Sequence, residues 1–381
     1  MKIVIFTYFF PKISETFILN RITRLIDNGF DVRIFALKNP SVVKAYEDDS
    51  LETIVHPDVI KYKLSEKVEY FPRKPSGELD TSLIDQRINV YNPDLIHIQW
   101  GNLGEELLSN LDFLAPVIVS FHSSVTPRTW SISNTGFSSV FKKANTILPV
   151  SDYIKNELTS MGCDSRKLIT HHMGVDTSLF FPGLTKNNNT VDILSVGSFI
   201  EKKGFQDAIR AIGILPKDLR ASLKYKLIGE GPMKTEYERL IRKGGIKDIV
   251  IFLGKLTQDR VVLEYQNSDI YIHSSMLSSE GDDEGIPTAI IEAQSCSIPI
   301  ISTRHTGIPE VVQHGVSGYL SAENDINDLS TNLSRLVSNQ NLREKMGKSG
   351  RKIVVDKFNV DTLTQNMITI YKNIQSNGNN S

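Results

Sequence analysis

"DIYIHSSMLSSEGDDEGIPTAIIEAQSCSIPIISTRHTGIPEVV", residues 269–312, runs twice through one cycle of apolar strand, polar loop and helix start. "DIYIH" and "PIIST" are short β-branched runs, each followed by Gly, Ser or charged residues and then by Gly-Ile-Pro. Strand–loop–helix units repeated in this way argue for a parallel sheet covered by helices on both faces. The first helix, "TAIIEAQSCS", has two glutamates about its start: Glu284 in the preceding loop and Glu292 inside it. Pro287 suits the first helical turn, where its missing N–H is not needed. The amides around Gly285 and Ile286 are then free and favour an anion such as a phosphate. A carboxylate beside them can accept hydrogen bonds from sugar hydroxyls. Spacing alone favours a plainer reading, with Glu284 complementing the helix dipole and Glu292 exposed between core positions.

The same rhythm extends in both directions. "KIVIFTYF" reads as a strand, and "SETFILNRITRLIDNG" as a helix with Ser14 as N-cap and Gly29 past its end. "DVRIFAL", "LIHIQW", "PVIVSFH" and "TILPVS" follow as strands with helical spacers. The pattern pauses at "SLFFPGLTKNNNTVD", where Pro182, Gly183 and three consecutive Asn read as a linker. "DILSVGSF", "LKYKLIGEG" and "IVIFLGK" then restart it. We therefore expect two doubly wound α/β domains, 1–182 and 183–359. The last helix, about 360–376, is placed to pack back on the first. Ligands of such sheets lie beyond the carboxyl ends of the strands. Two domains of this kind would face each other across a cleft.

With 381 residues, 40% of them hydrophobic and 23% charged, the chain has the composition of a soluble protein with real cores. Its formal net charge of −1 gives no general pull toward polyanions, so no nucleic-acid partner is expected. Two distant cysteines, Cys163 and Cys296, suit a reducing, cytoplasmic location. The apolar run before Pro11 is too short to span a bilayer and lacks a cleavage site, so it reads as a buried strand.

Other strand ends carry candidate chemistry. In "SVGSFIEKKGFQDAI" a loop holds Lys202 and Lys203 before Gly204; such a pair is ordinarily solvated charge, but here it lies at the ligand edge. "LIGEGP" is another Gly-rich strand end, without a full GxGxxG signature. His122 ends "VIVSFH", where a lone His is ordinarily a structural hydrogen-bonder.

Taken in order, "VGSFIEKKGF", "LIGEGP", "EGIPTAIIEA" and "TGIPEVV", with "HHMGVDTSLF" before them, resemble the retaining glycosyltransferases of family 4. "FPKISETFILN" and "HHMGVD" are closest to the branch that builds bacterial exopolysaccharides of the colanic-acid type. The resemblance implies the GT-B fold: two Rossmann-like domains, the C-terminal one holding a nucleotide-sugar donor. It implies that Glu284 contacts the donor sugar, Glu292 the ribose and Lys203 the diphosphate. Gly285, Ile286 and Pro287 would lie against sugar and phosphates, and His122 would be the active-site His of the N-terminal domain. The family usually has Arg where this chain has Ser198, leaving Lys202 or Arg304 to supply that charge. The resemblance further implies a reaction that needs no metal or other cofactor; "GDDEG" is no DxD site, and a cation bridging it to the anionic donor is the lesser alternative. Its acceptors are sugars or polyprenyl-diphosphate-linked oligosaccharides, which would bring the protein to the inner face of the cell membrane as a peripheral contact. The sequence offers only "YFF", "FPRKP" and Lys142–Lys143 toward such a contact. An epimerase of the same fold, a non-catalytic two-lobed binding protein and a nicotinamide dehydrogenase are the competing readings. The missing GxGxxG after the first strand argues against the last.

Overall fold

A computed structural model describes residues 1–10, 16–37, 61–71, 73–74, 78–123, 136–184 and 190–378. The expected cap Ser14 and the Asn run lie outside them. The chain divides into two compact units, Met1–His172 with Val360–Ser381, and Met173–Asn359.

In the first unit, β1 (Lys2–Thr7), β2 (Asp31–Leu37), β3 (Val68–Phe71), β4 (Leu95–Ile98), β5 (Val117–Phe121) and β6 (Thr146–Pro149) form one parallel sheet. Its order is β3-β2-β1-β4-β5-β6, so the direction of winding reverses between β1 and β4. β4 and β5 are buried along their whole length, which is why they read as near-continuous apolar runs, broken only by the mutually hydrogen-bonded His97 and Ser120, rather than as alternating ones. The helix Thr16–Asp27 buries Ile18, Leu19, Ile22 and Leu25 against that sheet, at the spacing of one helical face. Gly29, at φ +80°, takes the left-handed turn that ends it.

The second unit repeats the plan with β7 (Val191–Val196), β8 (Leu223–Ile228), β9 (Val250–Gly254), β10 (Ile270–His273), β11 (Ile300–Thr303) and β12 (Gly318–Ser321). All pairings are parallel, in the order β12-β11-β10-β7-β8-β9, and winding reverses between β7 and β10. The loops that follow these two strands carry Lys203 and Glu284. Topology thus places both at the reversal point, where open α/β sheets bind ligands.

One expectation shifts, the boundary, while the last helix packs where it was expected. The units divide between His172 and Met173, ten residues (182 − 172) before the expected boundary. Val175 and Phe180 are buried in the second unit's core, and Arg351 donates to the carbonyls of Phe180 at 2.7 Å and Thr177 at 3.1 Å. That segment is fastened before Pro182 is reached. The helix Val360–Gly378 groups with the first unit, burying Met367, Ile368 and Tyr371 in its core.

Candidate functional site

Lys203 ends a short 3-10 turn, Glu201–Lys203, and Gly204 follows at φ +67°. A Cβ on Gly204 would lie 1.6 Å from the carbonyl oxygen of Ser274, and Ser274 Oγ donates to the Gly204 carbonyl at 2.6 Å. Only glycine permits this approach, which lays the Lys203 loop against the end of β10.

Across that contact, Lys203 Nζ donates to Glu284 Oε1 in a largely buried ion pair. Glu284 Oε2 accepts from Ser275 Oγ at 3.0 Å and lies 3.2 Å from His273 Nε2. A carboxylate only accepts, so His273 carries its proton on Nε2, and its Nδ1 faces the Tyr271 hydroxyl at 3.0 Å. Burial pushes the Glu284 carboxyl up, but the charge of Lys203 and the bond from His273 outweigh it. They hold the group well below the usual carboxylate range. Glu284 is therefore a permanently ionised acceptor with three donors around it.

Glu292 sits two turns further on, inside the helix Thr288–Ser295, and accepts from Tyr265 Oη at 3.0 Å. Burial, only partly offset by that bond, raises its pKa to about 7. It is neither the plainly exposed residue of the simpler reading nor a partner of Glu284. Pro287 is the N-cap, with extended backbone at ψ 118°, rather than a first-turn residue. Ile286 is buried in the core. Among the described residues no hydrogen-bond partner occupies the amides of Gly285 and Ile286.

The second helix start differs from its sequence reading. "GIPEVV" makes a single turn, Ile308–Val311, and the Gly307 amide is already spent on the Gly285 carbonyl at 3.3 Å. Thr306 Oγ1 donates to the same carbonyl at 2.8 Å, from a backbone at φ +41°. A β-branched residue in that region is strained, and here it braces the peptide behind Glu284.

Ser198 is exposed on the loop after β7. Lys202 is not free to replace the missing Arg: its Nζ pairs with Asp282 at 3.1 Å and donates to the Asp283 carbonyl at 2.9 Å. Arg304 is exposed. In the first unit, His122 is buried, with Nε2 3.3 Å from Gln99 Oε1 and its ring against Phe17 and Trp100. Burial and the nearby charge of Arg21 keep it neutral. Sequence reasoning missed His273, Ser275, Tyr265, Thr306, Gln99 and Arg21. A His closing a fully apolar strand was the one available signal.

Two Rossmann-like units, each with polar side chains gathered at its reversal point, define the GT-B class of glycosyltransferase. The family model described as Glycosyltransferase Family 4 matches residues 14–179, and that described as Glycosyl transferases group 1 matches residues 176–353. Between them they cover both units, and the chain belongs to these glycosyltransferase families. It is 28% identical to the putative colanic acid biosynthesis glycosyltransferase WcaL of Escherichia coli, covering 88% of this chain and 90% of WcaL. It is also 28% identical to the amylovoran biosynthesis glycosyltransferase AmsK of Erwinia amylovora, with the same coverage of 88% and 90%. Among solved structures, Anabaena HepE in complex with UDP superposes with a TM-score of 0.80 at 17% identity, covering 98% of this chain and all of that one. Sucrose-phosphate synthase from Thermosynechococcus elongatus gives 0.78 at 17% identity, over 99% of each chain.

Proposed function

We propose that the protein transfers a sugar, with retention of configuration, from a nucleoside-diphosphate sugar held by the second unit to a hydroxyl of an acceptor in bacterial surface-polysaccharide assembly. The observation that carries this reading is the Lys203–Glu284 pair at the reversal point of the second sheet, beside the unpartnered amides of Gly285 and Ile286. The UDP complex of HepE and the naming of WcaL and AmsK support the donor and polysaccharide parts.

As the anomeric bond to the diphosphate lengthens, negative charge grows on the leaving oxygen. Lys203 and the two amides stabilise it from positions fixed beforehand, a contribution that can reach several kcal/mol. Glu284 is ionised and hydrogen-bonded by three groups, which suits it to orient sugar hydroxyls and makes it a poor nucleophile. The acceptor proton then passes to the leaving phosphate oxygen on the same face, so the configuration is retained. Glu292 accepts from the ribose hydroxyls when ionised, and His122 contributes from the first unit. The reaction proceeds without a metal: Lys203 and the amides supply the positive charge. Turnover is accordingly expected to survive EDTA. A polyprenyl-diphosphate-linked acceptor would bring the protein to the membrane surface, although no described helix is long and apolar enough to cross one.

The test is product mass after incubation with a panel of nucleotide sugars and lipid-linked oligosaccharides. Glu284→Ala should lower kcat by about 100-fold or more, the scale of removing one preorganised electrostatic contact. Lys203→Ala should weaken donor binding as well. Full activity in both variants would contradict the assignment.

A further inference from the structure

At or just beyond the carboxyl ends of β1, β4 and β5, four side-chain polar atoms are buried without a hydrogen-bond partner: Thr7 Oγ1, Gln99 Nε2, Trp100 Nε1 and His122 Nδ1. Thr7 ends β1, Gln99 and Trp100 follow β4, and His122 follows β5. These strands are adjacent, and the winding reverses between the first two. A single orphaned atom can be a local compromise. Four of them at the ligand edge of one sheet point to a bound molecule that satisfies them.

The cluster has a definite polarity. Arg21, on the helix Thr16–Asp27, donates from Nη1 to Gln99 Oε1 at 2.9 Å. A guanidinium only donates, so this contact fixes the amide orientation and leaves the Gln99 NH₂ as the free end. Among the described residues no carboxylate pairs with Arg21. Burial works against its charge, and only the Tyr371 phenol opposes that. The same charge bears on His97, His122 and His171, which burial already holds neutral. An uncompensated cation thus stands against Gln99, whose free N–H groups lie at the same strand ends as the unpartnered Trp100 N–H and Thr7 hydroxyl. His122, with Nε2–H directed at Gln99 Oε1, offers a lone pair at Nδ1 that suits a hydroxyl. Asn102 Oδ1, a fifth orphan two residues beyond Trp100, is likewise an acceptor.

We propose that Arg21, Gln99 and Trp100 bind an oxyanion, carboxylate or phosphate, carried by the acceptor, while His122 Nδ1 takes a neighbouring hydroxyl. The proposal rests on the transferase reading and adds the acceptor's chemical class. The two sources of such a group are an acidic sugar and a lipid diphosphate.

The experiment measures binding to the full-length protein by calorimetry, with glucuronic acid, geranyl diphosphate, neutral glucose and UDP as probes. At least one anion should bind, glucose should bind at least ten-fold more weakly, and the anion that binds identifies the source. Arg21→Met and Trp100→Phe should each weaken that anion by roughly ten-fold or more, as expected for losing a hydrogen bond to a charged group. Neither should change UDP binding, which belongs to the second unit. Trp100→Phe keeps the ring against Phe17 and His122, so it decides the matter if Arg21→Met fails to fold. Equal affinity in Trp100→Phe and wild type, or no preference for either anion over glucose, overturns the proposal. Failure of UDP to bind the wild type would instead overturn the transferase reading.

Discussion

Glu284 and Glu292, eight positions apart (292 − 284), belong to the same loop–helix segment, yet their surroundings drive them in opposite directions. Glu284 has a lysine, a histidine and a serine on its oxygens, and its carboxyl is held low. The stability this provides is fully present above the unfolded value near 4.5 and is lost only as pH falls through the lowered folded value. Nothing about Glu284 should therefore change across the neutral range. Glu292 has one tyrosine, and burial raises it to about 7. The folded protein holds that proton more tightly than the unfolded chain does, so stability declines as pH rises from about 4.5 through 7. The shift corresponds to about 3–4 kcal/mol at most. Glu292→Gln should thus melt higher than wild type at pH 8, and the gap should close by pH 5. If ionised Glu292 accepts from the ribose, donor KM should also rise as pH drops from 8 to 6, and this dependence should vanish in Glu292→Gln. Neither environment was legible in the spacing of the two acids, because Lys203 and Tyr265 arrive from other parts of the chain.

At the scale of the elements, the Lys203 loop is fastened to the end of β10 by the close backbone approach at Gly204, with the Met276 amide donating to the Lys202 carbonyl at 3.0 Å beside it. Gly204→Ala must move one loop or the other and also puts an alanine at positive φ. We expect a loss of about 1–3 kcal/mol in stability with a disproportionate loss of donor affinity, read by thermal melts and calorimetry. A melt shift with donor affinity intact would show that the approach only supports the fold. The central strands were readable because full burial on both faces leaves almost no polar residues in them. Two edge strands, β3 (Val68–Phe71) and β12 (Gly318–Ser321), were not recognised. Each has four residues, pairs on one side only, and carries too little apolar signal to stand out from its polar flanks. The single-turn helix at Ile308–Val311 was overread for a related reason: Gly-Ile-Pro announces a turn but does not fix how many residues continue it.

At the scale of the whole molecule, the chain's last helix belongs with its first strands. Tyr371 Oη bonds His97 Nδ1 at 2.6 Å, and Arg24 pairs with Asp361 at 2.7 Å. Truncation after Asn359 should expose the first unit's core and lower its unfolding transition sharply, while the transition of Met173–Asn359 stays in place. A single unchanged transition in calorimetry would contradict this. The two-domain plan was legible in the repeated strand–helix rhythm. The boundary was not, because a Pro-Gly-Asn stretch marks where a chain is polar, whereas burial of Val175 and Phe180 decides which unit holds it. The central claim is that Lys203 serves the diphosphate and Glu284 the sugar. Calorimetric titration of UDP into wild type, Lys203→Met and Glu284→Gln, beside UDP-glucose into the same three, separates the two roles. The account predicts that Lys203→Met weakens UDP roughly ten-fold or more, as for a lost charge-assisted contact, whereas Glu284→Gln weakens only the sugar-bearing ligand. UDP binding indifferent to Lys203→Met would contradict it.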